Sequence, residues 1–221
     1  MTRESFARHI KELEEEVKAM TEMVIAATNR SIEALKNRDV DDAKRIIDED
    51  TLINKLRWDI EEKCINLIAR QQPVASDLRE IIAVLSIITD LERMGDHAEG
   101  IAKIVVMLGG EPPVKPLIDI PLMAQKAADM LKRSIEAFIR RDAKAAELIS
   151  NEDEDVDKLY DQVYRELLTY IIEDPKTITG ATYLIWVAHN LERIADRVTN
   201  ICERIVFLVT GTMQEINVSR Y

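Results

Sequence analysis

DLERMGDHAEG at residues 90–100 returns as NLERIADRVTN at residues 190–200. In each copy Leu-Glu-Arg is followed by an Asp four places after the Glu: Glu92 and Asp96, then Glu192 and Asp196. Outward from these segments the correspondence continues. SIEALKNRD at 31–39 matches SIEAFIRRD at 134–142, and INKL at 53–56 matches VDKL at 156–159, both 103 residues on. The LER segments lie 100 residues apart, and the difference falls in the connectors RQQPVASDLRE at 70–80 and EDPKTITGATY at 173–183. Three collinear matches mean one internal duplication.

The Gly- and Pro-rich stretch GGEPPVKPLIDIP at 109–121 stops one helix and delays the next, so it marks the junction. Two units are expected, residues 1–110 and 117–221. Composition sets their class: 47% hydrophobic and 5% aromatic, with only 6 Gly and 6 Pro, describes helices rather than sheets. In each half the first helix is expected over 5–37 and 117–140, with apolar residues such as Met123, Ala127, Met130, Ile135 and Phe138 at helical spacing. Asp39 and Asp142 then stand as N-caps of second helices that run to about 70 and 172. The third helices follow the proline-bearing connectors, with Ser76 as a start signal in the first half and Asp174-Pro175 as the break in the second. The fold class is therefore all-α: six long helices in two similar antiparallel three-helix bundles.

Net charge of -11 and a pI of 4.9 exclude a nucleic-acid binder, which needs a basic face to displace counterions. The opening MTRESFARHIKELEEEV is charged and amphipathic, without the apolar core of an export signal. IIAVLSII at 81–88 and YLIWVA at 183–188 fall short of the roughly 20 residues of a membrane helix. A soluble, cytoplasmic chain is expected. Cys64 and Cys202 have no CxxC pairing and read as buried thiols.

On a helical wheel Glu92 and Asp96 stand about 40° apart, Glu99 lies on the same side, and all three continue the stripe of Ile81, Leu85 and Ile88. Glu192 and Asp196 do the same beyond Ala181, Ile185 and Ala188. The second helices carry their own pairs, Asp50 with Asn54 and Asp153 with Asp157. Antiparallel packing of second and third helices brings these pairs face to face, one carboxylate cluster per half. Unpaired charges on an apolar stripe are costly, so something positive must compensate. One candidate is arginine, although Arg93 and Arg193 sit about 100° round the helix and should point elsewhere, which leaves Arg79 to reach in from an earlier turn. The other is metal. Oxygen ligands without thiolates suit Mg, Mn, Ca or iron.

At these residues the sequence resembles the PhoU family, the accessory and regulatory proteins of bacterial phosphate-specific transport. The likeness rests on the duplicated three-helix unit, on QQPVASDLREIIAVLSIITDLERMGDHAEGIAKI at 71–104 with Pro73, Ala75, Asp77, Leu78 and Arg79 before the LER, and on the degenerate copy NLERIADRVTNICERI at 190–205. The resemblance implies two bundles with multinuclear iron or zinc clusters on E/D-xxx-D motifs. Those positions here are Glu92 and Asp96, Glu192 and Asp196, Asp153 and Asp157, and Asp50 with Asn54, whose neutral amide departs from the pattern. It also implies a homodimer and repression of phosphate-starvation signalling through the transporter ATPase and a membrane sensor histidine kinase.

Two rival readings remain. Di-iron oxidases use Glu-x-x-His, but His9, His97 and His189 follow Phe6, Met94 and Trp186, and no phosphate-loop, nucleophile-elbow or HExxH motif occurs, so no catalysis is expected. His97, whose repeat counterpart is Arg197, reads as solvent-facing or capping. The second rival is a metal-free acidic adaptor whose carboxylates are salt-bridged. Trp58 and Trp186 read as core residues on helical spacing rather than partner surfaces.

Overall fold

Asp39 caps the second helix as its position requires, its carboxylate accepting the Asp42 N–H at 2.8 Å, and Asp142 repeats the bond with the Ala145 N–H at 3.0 Å. Between such caps the computed structural model, which describes residues 3–213 and Ile216, is helical throughout. The helices are α1 (Arg3–Asn37), α2 (Val40–Gln71), α3 (Ser76–Leu108), α4 (Asp119–Arg140), α5 (Ala143–Ser150), α6 (Asp153–Glu173) and α7 (Ile178–Thr210), with a 3-10 turn at Pro175–Thr177. Residues 1–2, 214–215 and 217–221, at the ends of the two expected units, lie outside this description.

Five of the six expected helices are continuous. The second helix of the second half is not: it breaks at Asn151 and Glu152 into α5 and α6. Neither Gly nor Pro causes the break. Ser150 and Asn151, which replace Ile47 and Asp48 of the unbroken α2, are weak helix formers whose side chains compete for the backbone. A second difference concerns Ser76, which opens α3 without capping it; the preceding Ala75 takes a positive φ of 49° and makes no side-chain bond.

The apolar stripes bury as spaced. Val17, Met20 and Val24 of α1 meet Ile53, Ile60 and Cys64 of α2 and Ile81, Ile88 and Met94 of α3 in one core. Met123, Ala127, Met130, Ile135 and Phe138 of α4 are buried with Val156, Val163 and Leu167 of α6 and Leu184, Leu191 and Val198 of α7. Truncating a side chain as buried as Phe138 to Ala costs about 3–5 kcal/mol. Each half is thus a three-rod bundle. The third rod of each bundle does double duty, because α3 and α7 pack along each other and α1 touches α4.

That shared seam is polar at its centre and follows the duplication. Asp90 of α3 accepts from Arg197 at 3.2 Å and from Asn200 at 3.3 Å, while Asn190 of α7 meets the His97 ring at 2.9 Å. Asp90 and Asn190 are repeat counterparts, as are His97 and Arg197. His97 therefore faces the other half, neither solvent nor a helix end. Burial raises the Asp90 carboxyl above its ordinary value despite the bonds from Asn200 and Arg197.

The junction is seated on the second half. Lys115, its side chain only 2% exposed, pairs with Glu166 of α6 and lies 3.7 Å from Asp119. Val114 packs so close to Gly180 that a Cβ there would stand 2.9 Å from its Cγ1.

Candidate metal centre

In the first half α2 and α3 bring Asp50 and Asn54 against Glu92, Asp96 and Glu99, as the facing stripes demand. The Asn54 amide donates to Asp50 at 2.7 Å. Asp50 fits because position 95 is glycine: a Cβ there would stand 3.2 Å from its Oδ1. Burial, then the charges of Glu99 and Asp96, push the Asp50 carboxyl up to about 6, with Glu92 adding to them and the Asn54 bond opposing. Arg93 lies 3.2 Å from Asp96 and 3.5 Å from Glu92, and Lys103 lies 2.6 Å from Glu99. A groove of about 240 Å³, walled by Met23, Ala27 and Leu52, opens beside Asp50 and Glu99.

The second half repeats the arrangement, with Asp157 where the first half has Asn54. The break in the second helix places Asp153 at the start of α6, and Asp157 follows one turn on. Both face Glu192 and Asp196 of α7. Asp153 is 5% exposed, and its Oδ1 has no hydrogen-bond partner. Burial and then Asp157, Asp196 and Glu192 push its carboxyl up to about 7, against the pull of Arg193. Asp157 is pushed up to about 6 by burial, Glu192 and Asp196, and burial also raises Glu192. Asp153 and Asp157 hold protons above the usual carboxylate range because burial, and then their acidic neighbours, oppose the charged form.

Arginine supplies the charge, contrary to the wheel. Arg193 grips Glu192 with two bonds of 2.7 Å and reaches Asp196 at 2.8 Å. A position 100° off the stripe does not keep a long guanidinium stem off it. Arg93 does likewise more loosely, 56% exposed against 45% for Arg193. Arg79 does not reach the cluster: its guanidinium lies at the C-terminal end of α7, against Gly211.

Two further residues belong beside the clusters and were not singled out from the sequence. Arg30 bonds Glu49 at 2.5 Å and Arg133 bonds Glu152 at 2.8 Å, each acid directly preceding a cluster Asp. Both members recur at the spacing of 103, so the duplication itself carried the signal.

The donor set fits a hard or borderline cation: carboxylate oxygens, one amide and, in Asp153, a buried oxygen without a partner. As the side chains stand, no three His, Cys, Asp or Glu groups among the described residues converge to hold an ion. Glu192 and Asp196 are drawn instead to the Arg193 guanidinium.

Trp58 and Trp186, expected in the core, are 61% and 49% exposed. On α2 the core stripe runs through Ile53, Ile60 and Cys64, and Trp58 stands about 200° from Ile60. Trp186 meets Tyr183 edge-on with ring centroids 5.7 Å apart. No helix among the described residues is long and apolar enough to cross a membrane.

The duplicated three-rod unit has counterparts among known proteins. The PhoU domain family matches residues 17–105 and again residues 120–205. The chain belongs to the PhoU family. It is 39% identical over 218 residues to the phosphate-specific transport system accessory protein PhoU homolog of Clostridium acetobutylicum, covering 98% of this chain and 100% of that protein. The homolog of the same name from Aquifex aeolicus is 41% identical over 204 residues, covering 92% of each. Among solved structures, PhoU from Pseudomonas aeruginosa superposes with a TM-score of 0.88 at 34% identity, covering 94% of this chain and 100% of that one. The phosphate transport system regulatory protein PhoU of Streptococcus pneumoniae gives 0.87 at 33% identity, covering 95% and 99%. The PhoU relatives carry the name of an accessory protein, not of an enzyme.

Proposed function

We propose that this chain is a cytoplasmic PhoU-type accessory regulator of phosphate-specific transport whose two acidic clusters hold metal ions. It acts as a negative regulator of phosphate-starvation signalling, as a homodimer, through contacts with the transporter ATPase and the sensor histidine kinase. The accessory role is supported by relatives of that name that align along nearly the whole chain. The metal reading is carried by one observation, the buried and unpartnered Oδ1 of Asp153 among Asp157, Glu192 and Asp196. A bound cation would satisfy such an oxygen, whose carboxyl is otherwise pushed toward the protonated form. Asp153, Asp157, Glu192 and Asp196 would hold an ion in the second half, and Asp50, Glu92 and Asp96, with Asn54 as the weaker donor, in the first. A bound cation would neutralise the acids and lock each second helix to its third. Contact with partners is supported by the exposed rings of Trp58 and Trp186, since aromatics anchor protein interfaces.

A metal-free adaptor is the second reading, and the pairing of Arg193 with Glu192 and Asp196 favours it. The two readings part at Asp153, which arginine leaves unpaired. The functional test is binding of the purified chain to the cognate transporter ATPase and to the cytoplasmic part of the kinase, with and without chelator. Binding weakened by Trp58→Ala or Trp186→Ala supports the contact role. Chelator sensitivity separates the metal-bearing regulator from the adaptor, and no binding to either partner refutes both.

A further inference from the structure

Arg193 stands among the second-half acids, where a cation would stand. It is the only basic side chain that the structure pairs with Glu192 and Asp196 by contacts shorter than 3 Å among the described residues. Both Glu192 oxygens are engaged, so neither is free for an ion while the guanidinium stays. The Arg193 side chain is 45% exposed, so water can take up its guanidinium when it leaves the acids. Its counterpart Arg93 makes looser contacts of 3.2 Å and 3.5 Å with Asp96 and Glu92. Asp153 completes the picture, being 95% buried, since 5% is exposed, and aimed at the same acids with its Oδ1 unpartnered.

We infer that Arg193 is a built-in counter-ion that exchanges with metal at the second cluster, holding Glu192 and Asp196 when the ion is absent and swinging to the surface when it binds. This inference rests on the metal reading above. No bond is made or broken beyond the ion pairs: the guanidinium leaves with its proton, and the carboxylate oxygens pass from nitrogen to metal. The exchange lowers metal affinity by the strength of the pairing it replaces, and it turns occupancy into a movement of positive charge at the surface of α7. The first cluster binds with less competition, because Arg93 is held less firmly.

The test is a calorimetric titration of Zn²⁺ and, separately, Mn²⁺ into the chelator-stripped full chain. Glu92→Ala and Asp96→Ala form the background, so that only the second cluster is read. Adding Arg193→Gln removes the competitor and is expected to tighten binding about tenfold, the low end for charge-assisted bonds to a half-exposed group. Arg193→Lys, which keeps the charge and loses the two-point grip, should fall between. Circular dichroism of each variant checks that the helices are intact. Affinity unchanged or weakened by Arg193→Gln in a background that binds metal overturns the exchange and leaves the metal reading standing. Absence of binding in both background and variant overturns the metal reading at the second cluster and the exchange with it.

Discussion

Asp90 of α3 and Arg197 of α7 meet at 3.2 Å across the seam that joins the two halves, and the repeat counterpart of that contact is Asn190 with His97. The second half thus already carries the amide where the first carries the acid. Asp90→Asn copies Asn190 and keeps an oxygen for Arg197. Because burial raises the Asp90 carboxyl, its charge adds little net stability, and the change should stay within about 1 kcal/mol in chemical denaturation. Asp90→Ala leaves Asn200 without its acceptor and should cost about 1–3 kcal/mol. A larger loss for the amide than for the alanine would contradict this reading of the seam.

The cluster acids make metal-free stability depend on pH in an unusual direction. Asp153 at about 7, with Asp157 and Asp50 at about 6, hold protons in the folded chain that they release near 4 when unfolded. Between those limits the folded state binds more protons, so stability falls as pH rises. The destabilisation is absent below about pH 4, grows to about pH 7 and is constant above it. Melting of the chelator-stripped protein should therefore be lower at pH 7.5 than at pH 5.5. Asp153→Asn should flatten the slope, and a melting temperature that rises over that interval would contradict it.

The junction yields a third prediction. Lys115 is buried between Asp119 and Glu166, so Lys115→Met leaves Asp119, 14% exposed, without its partner. Glu166 is 40% exposed and recovers water. The loss should be about 2 kcal/mol, below the range for breaking a fully buried pair, and equilibrium unfolding measures it. A neutral result would mean that Val114 against Gly180 is enough to seat the junction.

The fold was legible because the duplication set two copies of each signal side by side. Asp39 and Asp142 cap as read, and the stripes through Ile53, Ile60 and Cys64 and through Met130 and Phe138 bury as read. The break at Asn151 and Glu152 was hidden, because the duplication suggested one continuous second helix, while Ser150 and Asn151 stand where the first half has Ile47 and Asp48. The cluster residues are brought together as their spacing implies, acid facing acid. Wheel angles missed Arg193, since a backbone position says little about where a long side chain puts its charge. The apolar character of Trp58 suggested the core, whereas its angle of about 200° from Ile60 puts it outside.

The exposed tryptophans give a fourth prediction. With 61% and 49% of their surfaces in solvent, Trp58 and Trp186 add little to the core, so Trp58→Ala and Trp186→Ala should each change stability by less than about 1 kcal/mol. Their fluorescence should be quenched by acrylamide in the free chain and protected in a complex with the transporter ATPase. Rings already protected in the free chain would indicate that another surface, such as a second copy, covers them.

The proposed metal binding by the repeated acids has a direct test. Elemental analysis of the untagged protein purified without chelator, beside the Glu92→Ala, Glu192→Ala double variant, tests it most directly. Stoichiometric transition metal in the parent and its loss in the variant is the predicted result. Metal at background in the parent, even after incubation with iron, zinc or manganese, would contradict the claim and leave Arg93 and Arg193 as the permanent partners of these carboxylates.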